Sequence, residues 1–270
     1  MTVEFLNDLE DTRLDPYRHL RTRNLTRFSG KFIAESRPLV ERLLASSYAV
    51  DSVVVDAADW GEHLESWGQS HTVLVVPSHS IEELVGFHFH RGFLACGIRP
   101  TERPWRQALI DFAQSDQPIA LGTIGLQDPE NLGAILRTCA GLGITHCFLG
   151  PGTSDPLSRR ALRVSMGASL KVTTTTLQDP FSWIEQMRGL GIASVVTSLQ
   201  DPSVPLEQFR TARKMMVIVG NEAQGVPQAI QSMADHRLRI PMELEVDSFN
   251  VAVATGIVLH ALRRLLPRSA

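Results

Sequence analysis

Cysteine is scarce in this chain of 270 residues, with Cys96, Cys139 and Cys147 as the whole complement. An odd number at wide spacing offers neither a disulfide framework nor a zinc-ligand pattern. Each sits among apolar neighbours, so three buried thiols are expected. Long apolar runs are missing too. The nearest approach, residues 250–266, is broken by Thr255, His260, Arg263 and Arg264, short of the roughly 18 to 20 apolar residues that a membrane span needs. The N-terminus is acidic and has no basic-then-apolar signal pattern, which points to a cytoplasmic protein with no membrane partner. No internal repeat or low-complexity tract is evident. Neither half carries a G-x-G-x-x-G turn after its first strand, so a dinucleotide oxidoreductase is disfavoured; Gly141-Leu142-Gly143 reads as a helix end. His88 and His90 stand at i, i+2 with no third ligand signalled nearby, so no metal is expected. Nor is one sign of charge in excess. A net charge of −3 argues against indiscriminate polyanion binding.

What is present fits a globular protein with a core: 43% hydrophobic and 20% charged residues. Charge is uneven locally. Between Arg13 and Arg42 eight basic residues face three acidic ones. Such a segment can pair with phosphates, although a solvated helix face reads the same way. Arg21, Arg23, Arg27 and Lys31 are the RNA-binding candidates there. Arg159 and Arg163, one helical turn apart, are candidates further on.

Apolar periodicity divides the chain. Within residues 32–46 a helix is expected, with Ser36 as cap and Pro38 in its first turn. Strands over 50–55, 72–76 and 93–96 and a short helix over 80–85 follow, making residues 1–98 a small α/β domain. Pro100, Pro104 and Pro118 bracket a helical piece, so residues 99–117 read as a linker with a helix. Residues 118–270 then alternate. Strands are expected over 119–124, 144–149, 172–176, 192–198, 216–219 and 237–240. Helices fall between the first four, the first capped by Asn131, and a polar spacer precedes the strand over 237–240. Further helices are expected over 157–166 and 180–188, and a last one over 250–266. That order predicts a mostly parallel sheet with helices on both faces. The last helix is apolar on nearly every side, so it should be buried all round, with a subunit interface as a natural partner.

Three strand ends deliver irregular loops, at residues 197–199, 220–225 and 242–249. Ligands collect at the C-terminal ends of strands in α/β sheets. These loops hold Asn221, Glu222, Ser248 and Asn250, with Gly220 and Gly225 bounding the second. Glycines there allow close backbone approach.

Three stretches form a pattern. Asp128-Pro129-x-Asn131-x-Gly133-Ala134-Ile135-x-Arg137-Thr138 is the first. Gly220-x-Glu222-x-x-Gly225 is the second. The third is Ile240-Pro241-Met242, a spacer, then Ser248-Phe249-Asn250-Val251-x-Val253-Ala254. Together they resemble motifs 1, 2 and 3 of the SpoU family of RNA ribose 2′-O-methyltransferases, within the SPOUT class. Phe249 stands where that family usually has leucine, and Glu243-Leu244-Glu245 lacks a glycine often found there. The resemblance implies a C-terminal trefoil knot, a homodimer through the C-terminal domain, and S-adenosylmethionine as cofactor. It places the cofactor among Thr197, Ser198, Leu199, Gly220, Asn221, Gly225, Ile240, Met242, Phe249 and Asn250. For chemistry it points to Arg137, supported by Asn131, Glu222, Ser248 and Asn250. The N-terminal order is similar to domains of certain RNA-binding ribosomal proteins, which sets ribosomal RNA ahead of tRNA as the expected substrate. A non-catalytic RNA-binding protein on the same fold is the alternative.

Overall fold

The computed structural model describes residues 2–20, 30–89, 92–211, 213–244 and 247–265. Two compact units emerge: Met1–Thr101 with Leu157–Leu170, and Glu102–Pro156 with Lys171–Ala270.

The first unit contains β1 (Val3–Phe5), β2 (Lys31–Glu35), α1 (Arg37–Leu44), β3 (Val50–Asp56), α2 (Glu65–Ser70), β4 (Val73–Val76), α3 (Ile81–Val85) and β5 (Phe93–Ile98). Its sheet has the order β1-β4-β3-β5-β2. Alternation along the strands fills both faces. Val53, Val55, Val73, Val75, Phe93 and Ala95 enter one apolar cluster, while Val54, Leu74, Leu94 and Cys96 enter the other. Residues 32–35, ahead of the expected cap Ser36, lie in β2, antiparallel to β5. Pro38 sits in the first turn of α1. A helix reaching back to Phe32 would place that proline in its interior, where it breaks the hydrogen-bond ladder.

The second unit opens with α4 (Trp105–Gln114), β6 (Ile119–Thr123), α5 (Pro129–Gly141) and β7 (His146–Leu149). The chain then contributes α6 (Arg159–Val164) to the first unit. It resumes with β8 (Thr173–Thr176), α7 (Pro180–Gly189), β9 (Ala193–Thr197), β10 (Val204–Pro205), β11 (Met215–Val219), α8 (Gln228–Met233), β12 (His236–Arg239) and α9 (Val251–Leu265). The strands lie in the order β10-β12-β9-β11-β6-β7-β8, and every pairing is parallel. Residues from α5 and α9 share one core cluster with Ile119, Leu121, Val195, Val217 and Val219. On the opposite face α4, α7 and α8 pack with Ala120, Phe148, Val196, Met216 and Ile218. Gly122 lets Trp183 of α7 onto the sheet, since a Cβ there would stand 2.4 Å from its ring.

Two expectations change. The piece read as a linker over 99–117 is a packed layer: Ala108, Leu109 and Phe112 of α4 are buried with Trp183. Residues 118–270 are not one continuous domain. Leu157, Leu162 and Leu170 bury with Phe32, Val40 and Val53, and Arg159 pairs with Glu35, which is only 4% exposed. Burial of that carboxylate demands a partner, and α6 supplies it. Within the single chain α9 is buried on one side. Thr255, Val258, Leu259 and Leu262 face inward, while Val253, Ile257 and Leu265 are exposed. Among the described residues, no helix is long and apolar enough to cross a membrane.

Candidate active site

Because β12, β9, β11 and β6 are parallel neighbours, their C-terminal loops emerge side by side along one edge. Strands sit about 4.8 Å apart, so four successive loops span a width suited to one small ligand.

The loop after β11 is built on itself. Asn221 N–H donates to the Gly225 carbonyl at 3.0 Å, and Gly225 N–H returns a bond to Asn221 at 2.9 Å. Asn221 Oδ1 accepts from the N–H groups of Ala223 and Gln224 at 2.9 and 3.1 Å. Its Nδ2 donates to the Gly125 carbonyl at 2.8 Å, which ties this loop to the one after β6. Gly225 takes a left-handed backbone, φ +67°. Gly220 is forced by contact: a Cβ there would lie 2.1 Å from the Gly225 carbonyl carbon.

At the start of α5 the capping role belongs to Asp128, not Asn131. The Asp128 carboxylate accepts from Glu130 N–H at 2.9 Å, and Pro129 follows in the first turn. An aspartate before a proline at the first helical position is a helix-start signal that the sequence already carries. Asn131 is thereby released for other contacts. Its Nδ2 donates to Glu222 Oε1 at 3.1 Å, and its Oδ1 accepts from Asn250 Nδ2 at 3.0 Å. Asn250 Oδ1 accepts in turn from Ala252 N–H at 2.8 Å, at the start of α9. One relay, Asn250 to Asn131 to Glu222, therefore joins residues 119 and 91 positions apart. Asp128 N–H and Asn221 Nδ2 approach the Glu222 carboxylate at 3.4 and 3.5 Å. All three of these donors are N–H groups, and the N-terminus of α5 adds a favourable dipole.

The other predicted residues are placed less uniformly. Arg137 is exposed on α5, one turn after Ala134 and roughly 120° round the helix from Asn131. Ala134 and Thr138 line a groove against Ala252, Val253, Gly256 and Ile257 of α9. Arg137 therefore stands beside that groove and is not part of the relay. Thr197 Oγ1 reaches the Ile218 carbonyl at 3.4 Å, and Ser198 is buried. Leu199 and Phe249 are exposed apolar side chains. Ile240 is half-buried against the core, Met242 is half-buried, and Ser248 is exposed.

Of the RNA candidates, Arg21, Arg23 and Arg27 lie outside the described residues. Lys31 pairs with Asp51 at 3.0 Å. The Arg159 guanidinium is engaged by Glu35 and the Leu20 carbonyl, and it lies over the Phe87 ring. Arg163 is exposed. His90 lies outside the described residues, and His88 Nδ1 is 2.8 Å from Glu82. No group of three or more potential metal ligands occurs among the described residues.

The model of the SpoU rRNA Methylase family matches residues 118–260. An uncharacterized tRNA/rRNA methyltransferase of Mycobacterium tuberculosis is 30% identical over 274 residues, covering 98% of this chain and 93% of that protein. A putative RNA methyltransferase of the TrmH family from Porphyromonas gingivalis is 27% identical, with a TM-score of 0.78 over 93% of this chain and 96% of that one. The AdoMet-bound rRNA methyltransferase of Sinorhizobium meliloti shares the fold, with a TM-score of 0.83, 23% identity, and coverage of 97% and 98%.

Proposed function

This chain belongs to the SpoU rRNA Methylase family, and from that premise we propose that it transfers a methyl group from S-adenosylmethionine to a ribose 2′-hydroxyl of a structured RNA, ribosomal RNA ahead of tRNA. The observation that carries this reading is the relay from Asn250 through Asn131 to Glu222, which draws all three sequence motifs into one place. The substrate class rests on the family and on the relatives, which are RNA methyltransferases by name.

The loops fit the cofactor. Backbone amides and carbonyls at residues 197–199, 220–225 and 240–242 suit an adenine edge, because each non-proline residue offers a donor and an acceptor. Leu199 and Phe249 provide exposed apolar surface beside them. The sulfonium supplies an electrophilic methyl; the protein's part is placement. Holding the hydroxyl in line behind that methyl contributes about 7 to 11 kcal/mol of rate acceleration. Asn131 and Asn250 fix the Glu222 carboxylate, which orients cofactor or substrate. Ser248 lies on the same final loop, two residues from Asn250.

Arg137 binds the phosphate next to the target ribose and stabilises charge developing on O2′. A guanidinium stays protonated in proteins, so it is not the base. In this reading the groove of α5 and α9 belongs to a homodimer interface with Arg137 at its rim, and the exposed Val253, Ile257 and Leu265 support it as the surface a second copy would close. This reading includes a trefoil knot in the final segment and a cytoplasmic location. Arg137→Ala is expected to retain cofactor binding and lose about 100- to 1,000-fold of methyl transfer. A single-turnover assay checks this, and unchanged transfer removes Arg137 from the mechanism.

A further inference from the structure

Two buried polar side chains outside the three motifs meet at the proposed cofactor loops, and one of them, Ser198, belongs to the loop after β9 itself. Gln231, on α8, is 6% exposed, and Ser198, at the end of β9, is 7% exposed. Ser198 Oγ donates to Gln231 Oε1 at 2.8 Å, and Gln231 Nε2 donates to the Val226 carbonyl at 2.8 Å. Ser198 Oγ also accepts from Gln200 N–H at 3.0 Å, so the hydroxyl shapes the turn after β9. Ser198 N–H donates to the Leu238 carbonyl of β12 at 2.9 Å. Arg237 Nε, also on β12, donates to the Gln231 carbonyl at 3.0 Å. Val226 directly follows Gly225, and its nitrogen would stand 2.2 Å from a Cβ on Gly220. One side-chain amide thus joins the turn after β9 to the Gly220 loop, and Arg237 of β12 holds the main-chain carbonyl of the same residue.

We infer that Gln231 is a positioning residue that sets the spacing of the cofactor loops, acting through Ser198 on one side and the Val226 carbonyl on the other. The inference rests on the reading above that these loops hold S-adenosylmethionine. An amide suits the position because it accepts from the hydroxyl and donates to the carbonyl simultaneously. No aliphatic side chain of that size does either: the Ser198 hydroxyl then keeps only its contacts with Gln200, and the buried Val226 carbonyl loses the Gln231 donor.

The test uses the full chain with Gln231→Leu, Ser198→Ala and the double variant. Cofactor affinity is measured by calorimetry, and kcat and both KM values by methyl transfer. Hydrogen exchange is followed at residues 198–200 and 224–226. Gln231→Leu should raise the Kd and KM for S-adenosylmethionine about tenfold while kcat at saturation and the RNA KM stay within about twofold, the pattern of lost uniform cofactor binding. Exchange should quicken in both loops together, and the double variant should bind no more weakly than Gln231→Leu. Unchanged affinity with unchanged exchange overturns the inference. So does a loss shared equally by kcat and both KM values, with exchange faster throughout the unit, because that is general destabilisation. Should Gln231→Leu fail to fold, Gln231→Glu decides by the same readouts, since it keeps the acceptor for Ser198 and removes the donor to Val226. If the unaltered protein binds no S-adenosylmethionine, the functional reading has failed, and coupled exchange in the two loops alone upholds or overturns the role of Gln231.

Discussion

Gly220 and Gly225 bound the same loop, yet a methyl group means different things at each. At Gly220 it would meet the Gly225 carbonyl carbon at 2.1 Å and Val226 nitrogen at 2.2 Å. Those are backbone atoms, so no side chain can rotate aside, and the paired bonds between Asn221 and Gly225 must open. At Gly225 a methyl meets open space, and only the left-handed φ of +67° resists it, at about 1 to 2 kcal/mol. Gly220→Ala is therefore expected to abolish cofactor binding in calorimetry, and Gly225→Ala to weaken it modestly. Equal affinities for the two variants would contradict this account of the loop. Both glycines were legible in the sequence, as were Glu222 and Asn250, because polar and glycine residues interrupt apolar runs there. Asn131 was legible as a site residue, but its role was not. Asp128 and Asn131 are both good caps three residues apart, and Pro129 is what decides between them.

Elements show the same division between local and long-range signals. Strands β4 and β11 are continuous apolar runs and β3, β6 and β9 have apolar centres, as strands buried on both faces do, and the sequence places all five within a residue or two. Strands β1 and β10 are three and two residues long, too short for periodicity to mark. The six-residue α8 lay hidden in a stretch that reads as a polar spacer. At α5 the cap is exposed but anchors a helix of 13 residues that carries both Asn131 and Arg137. Asp128→Ala is expected to cost about 0.5 to 2 kcal/mol. In a protein of this size that lowers the melting temperature by about 2–4 °C per kcal/mol. Asp128→Asn keeps a capping oxygen and should melt close to the unaltered protein. A thermal melt of the two variants checks the assignment, and identical curves for both would return the cap to another residue.

At the scale of the whole molecule, contiguity in sequence misled. Leu157–Leu170 sits between β7 and β8, yet its leucines bury in the other unit. No local pattern reports such a choice, because it depends on which distant apolar face has room and on the buried Glu35 awaiting a cation. The final helix poses the opposite question. Its composition reads as buried all round, but one protomer covers only one side, leaving Val253 51% and Ile257 37% exposed. If a second copy covers that side, Ile257→Glu places an unpaired charge in the interface. Sedimentation should then shift from dimer to monomer, and an unshifted profile would place the interface elsewhere. The central claim concerns the product. RNA from cells lacking the protein is incubated with it and labelled S-adenosylmethionine, digested to nucleosides and resolved by mass spectrometry. The account predicts a single labelled 2′-O-methylnucleoside that disappears with Arg137→Ala; label on a base, or no label at all, would contradict it.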